Sequence, residues 1–286
     1  MCDEFIHPGL VSDSRLSRRT FGLMTAAVAG GAGAAHAQSN VTETDVTVKT
    51  PDGTCDAVVF HPSTKGKWPA VLIWPDIMGL RPAFRDMGRR LAAQGYTVLV
   101  VNPFYRSAHA PVIGDNFDFS NPESRARLTG YRAAMTNDGV DSDAVAYLAF
   151  LDTLPQTDKT RKAGVQGYCM GGALSFRTAA ASDRIWAVGS FHGGNGLVTD
   201  KPDSPHLLIA KTHAAFLVCQ AQNDDATNPK VKEDLKAAFA ASAKTATVEV
   251  YAANHGWCVP GGAVYNQAEA ERAWTNLSAL YKTALA

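Results

Sequence analysis

The sequence has no excess of charge, no long apolar segment and few cysteines, and each absence excludes a class of protein. Its 286 residues carry 27 basic and 27 acidic side chains, so no nucleic-acid-binding surface is indicated. The apolar stretch at residues 21–35 is shorter than the roughly 20 residues of a membrane span. The five cysteines lack the spacing of a zinc site or a disulfide scaffold. We expect a small-molecule partner, no membrane insertion, and neither metal nor cofactor.

The first 37 residues read as an export signal rather than as part of the fold. Residues 17–23 are SRRTFGL, and a weakly apolar stretch then leads to the A-x-A pattern that ends at Ala37. Paired arginines followed by Phe and Leu are typical of a twin-arginine signal, which a receptor recognises before cleavage. We therefore expect removal of residues 1–37, a periplasmic or otherwise exported location, and a single domain over residues 38–286.

Beyond the signal, short apolar runs alternate with helical patterns. Predicted strands lie at residues 46–48, 57–60, 70–74, 97–101, 165–166, 186–191, 216–221 and 248–250. Predicted helices lie at residues 82–94, 141–151, 170–181, 231–240 and 269–281, with a polar loop at 107–127. This alternation predicts an α/β fold whose central, mainly parallel sheet has helices on both faces.

Residues 167–172, GYCMGG, carry the strongest chemical signal. Glycines two positions before and after Cys169 permit a sharp strand-to-helix turn, because the neighbouring backbone leaves no space for side chains. The helix N-terminus would favour a thiolate at Cys169, and the backbone N–H of Met170 would face a developing oxyanion. A structural cysteine is one alternative. A dinucleotide-binding loop is another, although Cys169 occupies its middle-glycine position.

A cysteine nucleophile requires an acid and then a histidine later in the chain. Asp224 or Asp225 follows the predicted strand at 216–221, and His255 follows the last strand. All would meet Cys169 at the carboxyl edge of a parallel sheet. Asp224 is preferred because it comes first after the strand. We also expect His192 to touch this site, without a catalytic role, because it follows another strand.

Together these segments resemble the dienelactone hydrolase family, from about Val46 to the C-terminus. The resemblance rests on PDIMGL at 75–80, NPFYR at 102–106, the turn at 167–172, NDD at 223–225 and HGW at 255–257. It implies an α/β-hydrolase fold and a Cys-His-Asp triad that opens an ester or enol lactone. Cys169 would attack the carbonyl, His255 would transfer protons, and Asp224 would orient the imidazole. The family's oxyanion hole maps onto the backbone N–H groups of Ile77 and Met170.

Two positions depart from the family pattern. Asp76 stands where the family prototype has a glutamate that helps to ionise the thiol, so Asp76 is a candidate for that role or a ligand of its own loop backbone. Arg106 matches the first of two arginines that hold a substrate carboxylate, and a surface salt bridge is its alternative role. Val259 occupies the position of the second arginine. These departures weaken the case for dienelactone itself as the substrate.

The flanking residues leave further hypotheses open. Tyr168 and Trp257 adjoin the predicted site and are expected to line a substrate pocket. Cys258 follows His255 by three residues, and a disulfide between Cys258 and Cys169 is a hypothesis. Two other functions are a non-catalytic small-molecule binder on a hydrolase fold, motivated by the two departures, and a thiol redox protein. The sequence lacks the C-x-x-C motif that is typical of a thiol redox protein. Cys55 and Cys219 are expected to be structural.

Overall fold

A computed structural model describes residues 40–114 and 117–286, so the predicted export signal lies outside the described residues. Eight strands form one sheet: β1 (Val41–Thr50), β2 (Gly53–Pro62), β3 (Ala70–Trp74), β4 (Thr97–Val101), β5 (Ala163–Tyr168), β6 (Ile185–Phe191), β7 (Ala215–Ala221) and β8 (Ala246–Tyr251). The helices are α1 (Pro82–Ala92), α2 (Pro122–Ala133), α3 (Asn137–Thr153), α4 (Met170–Ala181), α5 (Pro205–Leu208), α6 (Gln222–Thr227), α7 (Lys230–Ala241) and α8 (Gln267–Ala284). No helix in these two ranges has the length and apolarity needed to cross a bilayer.

The strands are ordered β1-β2-β4-β3-β5-β6-β7-β8 across the sheet. The hairpin of β1 and β2 pairs antiparallel with β4, and every later neighbour pairs parallel. The carboxyl ends of β3 to β8 therefore share one edge, where loops can bring side chains from distant parts of the sequence together.

Helices cover both faces of the sheet, which confirms the predicted α/β-hydrolase fold. The β3 strand shows why its sequence is continuously apolar, because Leu72 joins one core cluster and Ile73 joins the other. Leu174 of α4 and Phe239 of α7 pack in the first cluster. The second cluster contains Leu277 of α8 together with side chains of α1.

The strands β3 and β4 have the predicted bounds, and so does helix α4. Helix α1 begins at Pro82, as predicted, because proline suits the first helical position. It ends at Ala92, two residues before the predicted end, and Gly95 adopts a left-handed φ of 93° just beyond.

The predicted polar loop at residues 107–127 is wrong over residues 122–127, because helix α2 begins at Pro122. The Asn121 side chain accepts hydrogen bonds from the backbone N–H groups of Glu123 and Ser124, which caps this helix. Leu128 is the buried residue of α2. A helix with so narrow an apolar face leaves almost no periodic signal in the sequence. The capping residue Asn121, followed by Pro122, was therefore the available indicator of this helix.

Candidate active site

Cys169 lies at the turn from β5 into α4, with φ 55° and ψ −121°. A Cβ added at Gly167 would lie 1.8 Å from the carbonyl oxygen of Gly171, and one at Gly171 would lie 2.5 Å from the carbonyl oxygen of Trp74. Neither position can therefore accept a side chain. These close backbone approaches hold Cys169 in a strained conformation, as the glycine spacing predicted.

The ends of β7 and β8 bring Asp224 and His255 to the same edge of the sheet. Asp224 lies in the first turn of helix α6, whereas the sequence had indicated a loop. His255 follows β8 after a short turn, and the Asn223 side chain accepts its backbone N–H at 2.8 Å. The loop that carries His255 is thus fixed to the segment that carries Asp224.

Asp224, and not Asp225, is the carboxylate that contacts the histidine. The distance from His255 Nδ1 to Asp224 Oδ2 is 2.7 Å, and both side chains are almost completely buried. Asp225 instead forms an ion pair with Lys232 at 2.9 Å. The two adjacent aspartates therefore have separate partners.

The protonation of His255 depends on its two polar neighbours. Burial of the ring lowers its pKa. The charge of Cys169, and hydrogen bonds with Asp224 and Cys169, raise that pKa more strongly, to about 10. The imidazole thus interacts with the thiol as well as with the carboxylate, and this environment favours imidazolium at neutral pH.

His192 also belongs to this cluster, directly after β6. Its Nδ1 accepts the backbone N–H of Cys169 at 3.0 Å. Its ring meets the ring of His255 edge-on, with centroids 4.7 Å apart, and the ring of Trp257 at 5.2 Å. His192 is fully buried and has a left-handed φ of 40°. The sequence analysis expected contact with the site here but not this set of interactions.

The loop after β3 packs against the first turn of α4. The carbonyl oxygens of Trp74 and Pro75 are so close to Gly171 that no Cβ would fit there. Ile77 follows in this loop, and Met170 begins the helix; both are buried. The two residues predicted to supply oxyanion-hole N–H groups therefore lie on adjoining backbone segments, and their catalytic role stays a prediction.

Asp76, in the same loop, is held by its own surroundings. Arg81 donates two hydrogen bonds to the buried carboxylate, at 2.6 and 2.8 Å, and the backbone N–H of Met78 donates a third at 2.9 Å. This is the loop-ligand role that the sequence analysis gave as the alternative, with an arginine added. The carboxylate is fixed by these three bonds, and activation of the thiol by Asp76 stays a prediction.

Arg106 lies in a second ion-pair cluster. Its guanidinium contacts Asp143 at 2.7 Å and Asp52 at 2.6 Å. The hydroxyl of Tyr105 donates to the same Asp143 carboxylate. This is the salt-bridge alternative, although the pair with Asp143 is largely buried rather than superficial. Two carboxylates thus already neutralise Arg106, and substrate binding by it stays a prediction.

The aromatic residues beside the site are buried. The Tyr168 ring stacks on Phe191 at 4.9 Å and borders a cavity of about 100 Å³, which Cys258 and Trp274 also line. The triad candidates are not among the lining residues described for it. Trp257 is fully buried, and substrate binding by Tyr168 or Trp257 stays a prediction.

The other three cysteines of the described ranges are, like Cys169, buried. Burial raises the pKa of Cys55 and of Cys219 to about 12, and that of Cys258 well above its ordinary value. No disulfide joins the four cysteines that the structure describes, so Cys258 is not bonded to Cys169. Over the same residues, no group of three or more His, Cys, Asp or Glu side chains could hold a metal ion.

Two residues around the site, Arg81 and Asn223, escaped the sequence analysis as functional candidates, and His192 was expected to touch the site without a catalytic role. Arg81 contacts Asp76, five residues earlier in the sequence, whereas Asn223 adjoins Asp224 but contacts the backbone of His255, 32 residues later. Their proximity to the candidate residues was the available signal. His192 and Cys169 are 23 residues apart in the sequence. Their contact depends on the order of strands in the sheet, which could not be predicted from the sequence.

Comparison with known proteins identifies the family and the fold. The sequence matches the dienelactone hydrolase family over residues 55–285. The carboxymethylenebutenolidase of Pseudomonas sp. (strain P51) is 32% identical over 131 residues, which cover 46% of this chain and 52% of the relative. A candidate carboxymethylenebutenolidase of Methylorubrum extorquens is 25% identical over 94% of this chain and 93% of its own length.

A solved structure supports the same assignment at the level of fold. A candidate dienelactone hydrolase from Klebsiella pneumoniae subsp. pneumoniae superposes with a TM-score of 0.73 and 20% identity, covering 85% of this chain and 99% of that one. The shared fold, together with the family match over most of the sequence, accounts for the resemblance of the separate motifs. The chain therefore belongs to the dienelactone hydrolase family, and it is a hydrolase.

Proposed function

We propose that this protein hydrolyses a small ester or lactone through a covalent thioester on Cys169, with His255 and Asp224 as its partners. The observation that carries the proposal is the position of His255, which contacts Asp224 at 2.7 Å and also interacts with Cys169. A nucleophile, a proton carrier and an orienting carboxylate in contact form the minimum unit of this chemistry.

In the first half-reaction, Sγ of Cys169 attacks the carbonyl carbon as a thiolate. The carbonyl oxygen becomes an oxyanion, for which the backbone N–H groups of Ile77 and Met170 are the proposed donors. The C–O bond to the leaving oxygen then breaks, and that oxygen takes the proton of His255. A lactone substrate keeps this new hydroxyl on the acyl group.

In the second half-reaction, neutral His255 removes a proton from water, and the hydroxide oxygen attacks the thioester carbonyl. The C–S bond breaks, the acid leaves, and the thiolate and imidazolium are restored. Asp224 holds the ring through Nδ1, so the other nitrogen serves both proton transfers. The pKa of about 10 at His255, to which the charge of Cys169 contributes, supports a resting imidazolium beside Cys169.

The ion pairs narrow the substrate class within this proposal. The family relatives are named as carboxymethylenebutenolidases, enzymes whose name denotes a lactone with a carboxylate. In this chain Arg106 is paired with Asp143 and Asp52, and Val259 stands at the other expected arginine position. We therefore propose that the substrate is a lactone or ester that carries no carboxylate, because no pair of arginines is available to bind one.

The test is detection of the acyl-enzyme. The protein is mixed with p-nitrophenyl acetate and with a panel of small lactones, quenched in acid, and examined by mass spectrometry. We expect an acyl adduct on Cys169 and loss of turnover in Cys169→Ala. The control is Cys55→Ala, a buried thiol of β2 outside the site, which should keep full activity.

Turnover that persists in Cys169→Ala would refute the proposal. If ligands bind to both proteins but no ester or lactone is turned over by either, the protein is a non-catalytic binder on a hydrolase fold. Peroxide consumption without ester hydrolysis would instead indicate thiol redox chemistry.

A further inference from the structure

His192 contacts both the turn that carries Cys169 and the rings of His255 and Trp257. The strand β6 ends at Phe191, and the backbone N–H of His192 donates to the carbonyl of Cys219 at 2.8 Å. The backbone is thereby fixed to the neighbouring strand β7. From that fixed point the side chain reaches Cys169, His255 and Trp257.

The first contact fixes the backbone of the turn. The N–H of Cys169 is shared between the carbonyl oxygen of Phe191 and Nδ1 of His192, each at 3.0 Å. An imidazole nitrogen accepts a hydrogen bond only when it carries no proton, so His192 is neutral with its proton on Nε2. Its Nδ1 is therefore one of the two acceptors that hold the N–H of Cys169, the residue with the strained φ of 55°.

The second contact limits the movement of the His255 ring. The two imidazoles meet edge to face at an interplanar angle of 61°, and the ring of Trp257 meets that of His192 at 69°. Trp257 in turn stacks on Tyr251 of β8 with centroids 5.2 Å apart. A rigid row of rings thus holds one side of His255, while Asp224 holds its Nδ1.

We propose that His192 is a positioning residue for the thiol reaction, fixing the backbone of Cys169 through Nδ1 and the plane of His255 through its ring. This inference rests on the proposed function, in which Cys169 is the nucleophile. A neutral histidine in this place serves two reacting groups at once, and no proton transfer is assigned to it. A displacement of about 1 Å between reacting groups can cost about 100-fold in rate.

Three substitutions at His192 separate the contribution of its Nδ1 acceptor from that of its ring. At φ 40°, asparagine is tolerated and supplies Oδ1 in place of Nδ1, so His192→Asn keeps the acceptor. His192→Phe keeps an aromatic ring but loses the acceptor. His192→Gly accommodates the backbone without strain and removes both features.

The experiment measures kcat and KM with p-nitrophenyl acetate, the rate of Cys169 alkylation by iodoacetamide, and the melting temperature of each full-length variant. We expect His192→Asn, which keeps the acceptor but lacks the ring, to lose a smaller part of kcat, less than about tenfold. We expect His192→Phe and His192→Gly to lose 10- to 100-fold in kcat and to be alkylated more slowly, with KM changed less than twofold. A residue that only supports folding would lower the melting temperature without this division between kcat and KM.

The proposal is overturned if folded His192→Phe or His192→Gly keeps wild-type kcat and alkylation rate. It is also overturned if His192→Asn folds but loses as much kcat as His192→Phe, because the acceptor would then be irrelevant. These outcomes differ from failure of the proposed function, which would appear as turnover in Cys169→Ala. The alkylation rate reports on the position of the thiol in either case.

Discussion

Asp224 and Asp225 are neighbours in sequence with different partners, which allows a matched comparison. We expect Asp224→Asn to lower kcat by about 10²- to 10⁴-fold, because the amide cannot stabilise imidazolium or hold the productive tautomer of His255. Asp225 pairs with Lys232, so Asp225→Asn should change kcat by less than about threefold. Steady-state kinetics with p-nitrophenyl acetate provides the measurement. Equal losses in the two variants would contradict the assignment.

The protonation of His255 provides a second prediction at the scale of single residues. Its pKa of about 10 reflects burial, which lowers the value, and Cys169 and Asp224, which raise it. Removing the thiol in Cys169→Ala removes one of the raising influences but leaves the ring buried. We therefore expect the pKa of His255 to fall, so that the ring loses its proton at a lower pH than in the wild type.

An NMR titration of protein with isotope-labelled histidine measures this change. Cys219→Ala is the control, because Cys219 is not among the groups that raise the pKa of His255. An unchanged His255 titration in Cys169→Ala would show that the thiol and the imidazole do not interact.

At the scale of secondary-structure elements, the turn between β5 and α4 depends on the absence of a side chain at Gly167. An added Cβ there would lie 1.8 Å from the carbonyl oxygen of Gly171, so the backbone of strand or helix must move. We expect Gly167→Ala to lower the free energy of unfolding by at least about 3 kcal/mol and to abolish activity, as measured by urea denaturation and ester hydrolysis.

Gly130 in α2 is the matched control for that substitution. A Cβ at this position would meet nothing within 4 Å, and its helical backbone favours alanine over glycine. We expect Gly130→Ala to leave activity unchanged and to raise the free energy of unfolding by up to about 1 kcal/mol. A similar loss in both variants would show that the close approach at Gly167 is not the cause.

The secondary-structure elements also show which parts of the fold and of the candidate site could be predicted from the sequence. The strands and the turn at Cys169 follow from apolar runs and glycine spacing, which are local properties. Asp224 and His255 could be predicted because parallel strands place their carboxyl ends at one edge. The partners of Arg106 and Asp76 could not, because an ion pair is selected by distance in space among many charged side chains. The ring contacts of His192 depend on strand order in the same way.

At the scale of the whole molecule, we propose that the chain is exported through its N-terminal signal. Residues 17–23 carry the paired arginines Arg18 and Arg19, and residues 1–37 lie outside the described structure. We expect mature protein outside the cytoplasm to begin at Gln38. Replacing both arginines by lysine should retain the uncleaved chain inside. Cell fractionation with N-terminal sequencing measures both, and export of the double variant at the wild-type level would contradict the proposal.

The proposed catalytic side chains all come from one half of the sheet. Cys169, Asp224 and His255 follow β5, β7 and β8, whereas β1, β2 and β4 contribute none of them. The other half contributes the loop that follows β3, with Asp76 and Ile77. Residues 102–114 and 117–136 follow β4 in this second half, outside the segments that carry the three proposed reacting groups.

The residue that carries the thiol has no solvent-accessible surface, and the His255 side chain beside it is nearly as enclosed. An electrophile from solution can reach the sulfur only after neighbouring atoms have moved aside. The observed rate of thiol modification should then stop increasing at high reagent concentration and level off at the frequency of that opening. For the reaction proposed at Cys169, the same opening sets an upper limit on how often a catalytic cycle can begin.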